Sequence, residues 1–151
     1  MKPFIINKLG VDISIGPVIC IESIHPHFVR DLVNSGVNIL AIITNDSWYD
    51  NTSGPYQHYM IAAARAIESR RFVVRCANSG ISGFITPTGK TLSIAPQYSR
   101  AVLSANVPLL DANDITFYHL VGDLFPYLMM LLVVVLVVIS ILNKKRKANI
   151  K

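Results

Sequence analysis

The hydrophobic pattern predicts strands and helices in alternation over the first part of the chain. Residues 11–21 begin with apolar side chains at every second position and end in an uninterrupted apolar run, which is typical of a strand entering a covered sheet. Residues 26–35 carry apolar side chains at helical spacing with Gly36 placed to end the helix, and residues 38–44 form a second apolar run. These segments predict a βαβ unit.

A second helix is predicted after a polar loop. The loop, residues 45–54, is rich in Asn, Asp, Ser and Gly. Residues 55–71 follow with a proline in the first turn, where its missing N–H costs nothing. One face of this helix is expected to be apolar and to comprise Tyr56, Met60, Ala63, Ala64 and Ile67. Residues 72–76 then form the next predicted strand.

Shorter strands are predicted in the following segment. Residues 82–86 and 91–94 are joined by a Pro-Thr-Gly turn, and residues 101–107 form a further expected strand. Residues 111–123 connect this part to the last helix. The order of elements predicts an α/β domain with a mixed sheet over residues 1–123.

The apolar run at residues 124–142 predicts one transmembrane helix. It contains no charged residue, and at about 1.5 Å per residue it spans roughly 28 Å, close to a hydrocarbon core of about 30 Å. Much of the 52% hydrophobic content of the chain lies here. A buried core helix or paired strands is the alternative, because residues 133–138 are rich in β-branched side chains.

The net charge of +5 lies entirely in the tail, residues 143–151. The residues before the helix carry equal numbers of acidic and basic side chains, whereas the tail contains Lys144, Lys145, Arg146, Lys147 and Lys151. By the positive-inside tendency the tail is expected in the cytoplasm and residues 1–123 on the outer side of the membrane, which in a bacterium is the periplasmic side. A basic tail directly after such a helix does not indicate a nucleic-acid partner.

Cys20 and Glu22 are candidates for chemistry at the end of the first predicted strand. A strand-to-helix junction holds a side chain at the sheet edge, and a helix N-terminus lowers the pKa of a thiol. Glu22 lies two residues further, so it suits a proton-transfer or orienting role. A buried core cysteine and a surface carboxylate are the alternatives.

A second group of candidates follows the next predicted strand. Asn45, Asp46 and Trp48 lie in the polar loop, and in α/β sheets binding sites gather beyond the carboxyl ends of the strands. The alternative is that Asn45 and Asp46 only shape the turn and that Trp48 only caps the core. The four histidines lack zinc-ligand spacing, so we expect no metal, and no phosphate-binding glycine loop or other cofactor motif is present.

Five motifs in order resemble the carbon–nitrogen hydrolase (nitrilase) superfamily. They are Ile-Cys-Ile-Glu at 19–22, Thr-Asn-Asp-Ser-Trp-Tyr at 44–49, Gly-Pro-Tyr-Gln-His at 54–58, Arg-Ala-Ile-Glu-Ser-Arg at 65–70, and Arg-Cys-Ala-Asn-Ser-Gly-Ile at 75–81. Together with the terminal helix, this variant of the motifs resembles the apolipoprotein N-acyltransferases. The resemblance implies part of a nitrilase-like αββα sandwich on the periplasmic side of the bacterial inner membrane.

The resemblance also implies a chemistry. A cysteine takes an acyl group from a phospholipid acyl donor as a thioester, and the N-terminal diacylglyceryl-cysteine of a lipoprotein acceptor takes it as an amide. Cys20 would be the nucleophile, the N–H of Ile21 an oxyanion donor, and Glu22 an acidic position associated with activity. Substrate-binding residues are expected in the matching loop and helix motifs, namely Asn45, Asp46, Trp48 and His58.

The chain departs from the family in one respect that bears on activity. The superfamily uses a Glu and a Lys from segments that precede the cysteine, and no residue among 1–16 matches them. We therefore expect this chain alone to be inactive, with a second chain as a possible source of the missing residues and membrane helices. The alternatives are a non-catalytic membrane-anchored remnant or binding module, and a membrane-tethered nitrilase-type amidase.

Overall fold

The computed structural model describes residues 2–8 and 10–148, in two compact units, Met1–Leu120 and Val121–Lys151. The first unit contains a six-stranded sheet. Its strands are β1 (Phe4–Lys8), β2 (Val11–Ile19), β3 (Ile39–Asn45), β4 (Phe72–Asn78), β5 (Ser82–Ile85) and β6 (Thr91–Ala95). The α-helices of the chain are α1 (Pro26–Asn34), α2 (Gly54–Ser69), α3 (Phe117–Val121) and α4 (Leu124–Ala148).

The sheet is mixed, and its strands lie in sequence order. The three strands β2, β3 and β4 are parallel, while the pairs β1–β2, β4–β5 and β5–β6 are antiparallel. Parallel strands need crossover connections, which α1 and α2 provide. Ile19 pairs with Ile43, which pairs with Cys76, so the carboxyl ends of all three parallel strands meet at one edge of the sheet. The residues that follow these strands are therefore neighbours.

The core lies between one face of the sheet and the two crossover helices. Alternate residues of the central strands are buried on this face because side chains in a strand alternate between its two sides. The buried apolar side chains include Val18, Leu40, Ile42, Val73 and Ile85 from the strands, Val29, Leu32 and Val33 from α1, and Ala62, Ala63 and Ala66 from α2. The small residues of α2 allow this helix to pack closely on the sheet.

The opposite face of the sheet is also apolar but partly uncovered. Ile19 and Ile43 are 48% and 53% exposed, and Cys76, the next residue across the sheet, is exposed as well. A sheet with helices on one face and an open apolar second face is one half of an αββα arrangement. The predicted α/β fold class, a partial αββα sandwich followed by one apolar helix, is confirmed.

Two strand expectations were incomplete or wrong. The hairpin strand β1 was not predicted; it pairs with β2 through a turn at Gly10, whose φ of +80° suits glycine. The strand predicted for residues 101–107 does not form, because these residues pair with no strand in the described part of the chain. Instead Ala101 and Leu103 line a cavity of about 390 Å³ against β4 and β5.

The buried face of α2 also differs from the prediction. Three of the expected apolar residues, Tyr56, Met60 and Ile67, are 58%, 47% and 53% exposed. The helix instead buries a face that includes His58, Arg65 and Ser69 beside its alanines. Hydrophobic spacing misplaces this face because its polar side chains are buried for hydrogen bonding rather than for their hydrophobicity.

The second unit contains the long apolar helix α4. The window Leu124–Lys144 has a mean hydropathy of 2.9, none of it is buried, and it is long enough to cross a membrane. The predicted helix at residues 124–142 is therefore confirmed as a helix, which continues beyond residue 142 into the basic tail. Residues 149–151 of that predicted tail, including Lys151, lie outside the described residues.

Candidate active site

Cys20 stands at the junction between β2 and a 3-10 helix, Cys20–Ile24. Its φ is +50°, a left-handed conformation that costs a non-glycine residue about 1–3 kcal/mol and that surrounding contacts must hold. Its thiol is free, and the residue is only partly buried. The junction predicted from the sequence is present, and it presents a strained, accessible cysteine at the carboxyl edge of the sheet.

Glu22 holds the backbone on the strand side of this turn. One oxygen of its carboxylate, Oε2, accepts a hydrogen bond of 2.7 Å from the N–H of Ile19. The side chain therefore binds the last residue of β2 and resists unwinding of the 3-10 helix. The proton-transfer or orienting role expected for Glu22 stays a prediction.

Ser23 holds the other side of the turn and connects it to the core. Its Oγ donates a 2.9 Å hydrogen bond to the carbonyl oxygen of Cys20 and also lies 2.9 Å from Nε2 of His58 in α2. The Nδ1 atom of His58 in turn lies 2.8 Å from Oδ1 of Asp46. Ser23, His58 and Asp46 are 0%, 2% and 1% exposed, so this line of contacts is buried.

Asp46 connects the line to a buried cation. Its Oδ2 accepts a 2.9 Å hydrogen bond from Arg75 of β4, and its Oδ1 accepts one of 3.1 Å from the hydroxyl of Thr44. Arg75 also donates to the carbonyl oxygen of Ile81. Burial raises the pKa of Asp46, but the hydrogen bonds and charges of Arg75 and His58 outweigh it and hold the pKa below its ordinary value of 3.8. Asp46 is therefore a carboxylate.

Glycine is required beside this carboxylate. A Cβ atom on Gly80 would lie 2.1 Å from Oδ2 of Asp46, which is far closer than a Cβ atom and a non-bonded oxygen approach each other. The neighbouring loop ends are joined by hydrogen bonds from the N–H of Asp46 to the carbonyl of Asn78 and from the Asn78 amide to Oδ1 of Asn45, each 3.0 Å long. The motifs at 44–49 and 75–81 thus form one structural unit.

Two apolar side chains face solvent at the same edge. Trp48, in the 3-10 helix Ser47–Tyr49, is 84% exposed, and Ile21 is 53% exposed. A tryptophan that caps a core would be buried, so the core-cap alternative for Trp48 is wrong. Exposure leaves Trp48 available for contact with an apolar ligand.

Most of the residues of this site were predicted from the sequence, but three of them were not. Cys20, Glu22 and Asp46 lie at one edge of the sheet, as expected from the strand ends that they follow, and His58 of α2 contacts Asp46 there. Ser23, Thr44 and Arg75 were not predicted as site residues. Arg75 interrupts the apolar strand β4, and a charge inside a buried strand requires a partner, so this signal was available. Across the described residues, no three His, Cys, Asp or Glu side chains are grouped so that they could hold a metal ion.

Comparison with known proteins places this arrangement in a family. The profile described as carbon-nitrogen hydrolase matches residues 3–116, which is more than half of the chain and contains the whole site. The chain belongs to the carbon–nitrogen hydrolase family. The crystal structure of a carbon–nitrogen hydrolase from Helicobacter pylori has a TM-score of 0.50 with 15% sequence identity, covering 58% of this chain and 38% of that one. That likeness is one of fold.

Within this family the chain is similar to apolipoprotein N-acyltransferases. It is 37% identical over 139 residues to the protein of that name from Chlorobaculum tepidum, covering 92% of this chain and 26% of the relative. With the corresponding protein from Geobacter metallireducens the identity is 38% over 113 residues, covering 75% and 21%. The carbon–nitrogen hydrolase chain described here thus spans about a quarter of the length of the curated relatives that it matches.

Proposed function

We propose that this chain supplies the nucleophile-bearing part of an apolipoprotein N-acyltransferase. Cys20 carries the proposal, because it is a strained and accessible thiol at the carboxyl edge of a carbon–nitrogen hydrolase sheet. The names of the similar proteins supply the reaction class. The remaining catalytic groups would come from polypeptide outside these 151 residues, in the same protein or in a second chain.

The proposed reaction has two acyl transfers. The thiolate of Cys20 attacks the ester carbonyl of a phospholipid, the ester C–O bond breaks, and the lysophospholipid leaves as an alcohol after taking up a proton. The α-amino group of a lipoprotein's diacylglyceryl-cysteine then attacks the thioester, forming an amide and releasing the Cys20 thiol. The N–H of Ile21 donates to the oxyanion of each tetrahedral intermediate.

The other predicted site residues divide by exposure. Trp48 is exposed and is proposed to contact the apolar part of a lipid substrate. Glu22 is proposed to fix the turn through its hydrogen bond to Ile19. The polar atoms of Asp46 and His58 are turned toward buried partners rather than toward solvent, so we propose that they act on the site through the protein. Asn45 is exposed beside them and is kept as a proposed substrate contact.

The helix α4 is proposed to anchor the chain in the bacterial inner membrane. Its uninterrupted exposure to solvent would be unfavourable for a segment with a mean hydropathy of 2.9. From the basic tail and the positive-inside tendency we propose that residues 1–123 lie on the periplasmic side and residues 143–151 in the cytoplasm. Labelling of the exposed Cys76 by a membrane-impermeant maleimide in spheroplasts tests this, and no labelling before lysis would contradict it.

A chimera tests the acyl-transfer function. The matched 139 residues of the Chlorobaculum tepidum relative are replaced by the corresponding residues of this chain. Purified chimera is given phospholipid vesicles and a diacylated lipopeptide, and mass spectrometry follows the triacylated product and the Cys20 thioester. We expect product from the chimera and from its Cys76→Ser variant, and none from Cys20→Ser. An inactive chimera beside an active parent, or an active Cys20→Ser variant, would contradict the proposal.

A further inference from the structure

We propose that Asp46, His58 and Ser23 form a positioning relay that orients the Cys20–Ile21 peptide and so aims the N–H of Ile21 at the oxyanion. The inference rests on the proposed function, because it gives this relay a task in acyl transfer. It assigns buried positioning roles to His58 and Asp46 and adds Ser23, which none of the sequence motifs singles out.

Peptide planarity provides the first step. The carbonyl oxygen of Cys20 and the N–H of Ile21 belong to the same peptide unit and point in opposite directions. Ser23 Oγ donates a 2.9 Å hydrogen bond to that carbonyl, so it fixes the rotation of the whole unit. The N–H of Ile21 lies in the first turn of the 3-10 helix Cys20–Ile24, where N–H groups have no partner inside the helix. The hydrogen bond from Ser23 thereby sets the direction of the N–H of Ile21.

Hydrogen-bond counting provides the second step. A serine hydroxyl has one proton, so when Ser23 donates to the Cys20 carbonyl it can only accept from Nε2 of His58. On its other side, His58 faces a carboxylate that can only accept. The full set of contacts is therefore satisfied when both ring nitrogens of His58 donate. If only one ring nitrogen of His58 carries a hydrogen, either the contact with Ser23 or the contact with Asp46 lacks its donor.

The ion pair provides the third step, because it makes the line rigid. Asp46 is fixed by Arg75 from β4, by the hydroxyl of Thr44 and by contact with Gly80. The Tyr49 and His58 rings make an edge-on contact, with their centroids 6.3 Å apart. An anchored carboxylate holds the imidazole in one orientation, as second partners commonly do for functional histidines. The contacts from Arg75 through Asp46, His58 and Ser23 thus connect the turn that carries Cys20 to the strands β3 and β4.

Comparing two reactions of the Cys20 thiol tests the relay. Alkylation by iodoacetamide displaces iodide and forms no oxyanion, whereas acylation by p-nitrophenyl butyrate passes through a tetrahedral oxyanion. The full chain is used in detergent with Cys76→Ser as the background, so that Cys20 is its single thiol. Circular dichroism and thermal unfolding confirm that each variant is folded. The rates of both reactions are compared for Ser23→Ala, for His58→Asn and for the exposed control variants His27→Asn and Ser104→Ala.

We expect Ser23→Ala and His58→Asn to slow acylation of Cys20 by about 10- to 100-fold and to leave alkylation unchanged, since misaiming one oxyanion donor costs up to about 10³-fold. The control variants should change neither rate. Equal acylation rates in all variants would overturn the relay, and so would a parallel loss of both reactions, which would indicate general disorder of the turn. An active Cys20→Ser variant of the Chlorobaculum tepidum chimera would instead overturn the proposed nucleophile, and the relay with it.

Discussion

Asp46 and Arg75 form an ion pair in which 2.9 Å separates Oδ2 from a guanidinium nitrogen, and both side chains are completely buried. The two residues belong to adjacent parallel segments, since Asn45 is in register with Asn78 at the ends of β3 and β4. Breaking a buried pair by removing one charge leaves the other charge uncompensated. The site region should therefore depend on this pair for its stability as well as for its geometry.

Replacement of Asp46 by Asn tests that dependence. The variant keeps the shape of the side chain but leaves Arg75 without a counter-charge, so we expect the free energy of unfolding to fall by about 3–5 kcal/mol. Urea titration of the full chain in detergent, followed by circular dichroism, measures the change. The control is Asp50→Asn at an exposed position, which should change stability by less than about 0.5 kcal/mol. Similar midpoints for the two variants would contradict the prediction.

Gly80→Ala should destabilise the chain through the same carboxylate. The added Cβ would overlap Oδ2 and the carbon atoms of Asp46, so that side chain must move and its contacts with Arg75 must weaken. Gly80→Ala and Asp46→Ala should therefore couple. The loss of unfolding free energy caused by Gly80→Ala should be smaller by about 1–3 kcal/mol in the Asp46→Ala background than in the parent chain. A double-mutant cycle of urea unfolding measures the coupling. Simple additivity of the two costs would show that the clash is relieved elsewhere.

The parallel core of the fold could be predicted because each of its strands and helices has a recognisable hydrophobic pattern within its own segment of the sequence. The apolar runs of β2, β3 and β4 and the glycine at Gly36 each indicate an element without knowledge of its neighbours. The strand expected at residues 101–107 failed because β-propensity cannot report whether a partner strand exists. The buried face of α2 was missed for a related reason: His58 is buried to contact Asp46 and Ser23, which are distant in sequence.

Arg71 is a second buried cation, and it is held by backbone carbonyls rather than by a carboxylate. Its guanidinium donates to the carbonyl oxygens of Val37, Ala112 and Asp114 at 2.7, 2.7 and 2.9 Å, and the side chain is fully buried. These bonds attach residues 112–114 to the region at the start of β3. The Arg71 side chain thus holds residues 112–114, which follow the sheet in the sequence, against the rest of the first unit.

Substitution of Arg71 by Met should remove this attachment. The buried carbonyl of Val37 and the partly buried carbonyls of Ala112 and Asp114 would lose their donor. Each loss costs up to about 1–3 kcal/mol and is offset where water reaches the carbonyl, so we expect a loss of about 3–5 kcal/mol in the free energy of unfolding. The neighbouring Arg70→Met is the control, because Arg70 is 60% exposed and its 3.3 Å pair with Asp114 contributes about 0–1 kcal/mol. Limited proteolysis should cut near residues 112–114 in the Arg71 variant alone. Equal resistance of both variants would contradict the attachment.

His119 should make the stability of the first unit depend on pH. Burial lowers the pKa of His119 below 6.5, and the charges of Arg71 and Arg30 lower it further. Thr116 Oγ1 donates to the carbonyl of Glu68 at 2.6 Å, so it accepts from Nδ1 of His119 at 2.8 Å. The remaining nitrogen, Nε2, is buried without a hydrogen-bond partner in the described part of the chain. Protonation there would add a positive charge to a buried site that already feels the charges of Arg71 and Arg30.

The sign of the effect follows from this depressed pKa. Below pH 6.5 the unfolded chain binds a proton at His119 that the folded chain resists, so the stabilising contribution is complete above the unfolded pKa and is lost as pH falls from 6.5 toward the folded pKa. One such proton gives a slope of at most about 1.4 kcal/mol per pH unit. Urea unfolding at several pH values between 7.5 and 5 should show a steeper loss for the parent chain than for His119→Asn. The exposed His27→Asn should keep the parent's slope, and identical slopes for the parent and His119→Asn would contradict the assignment.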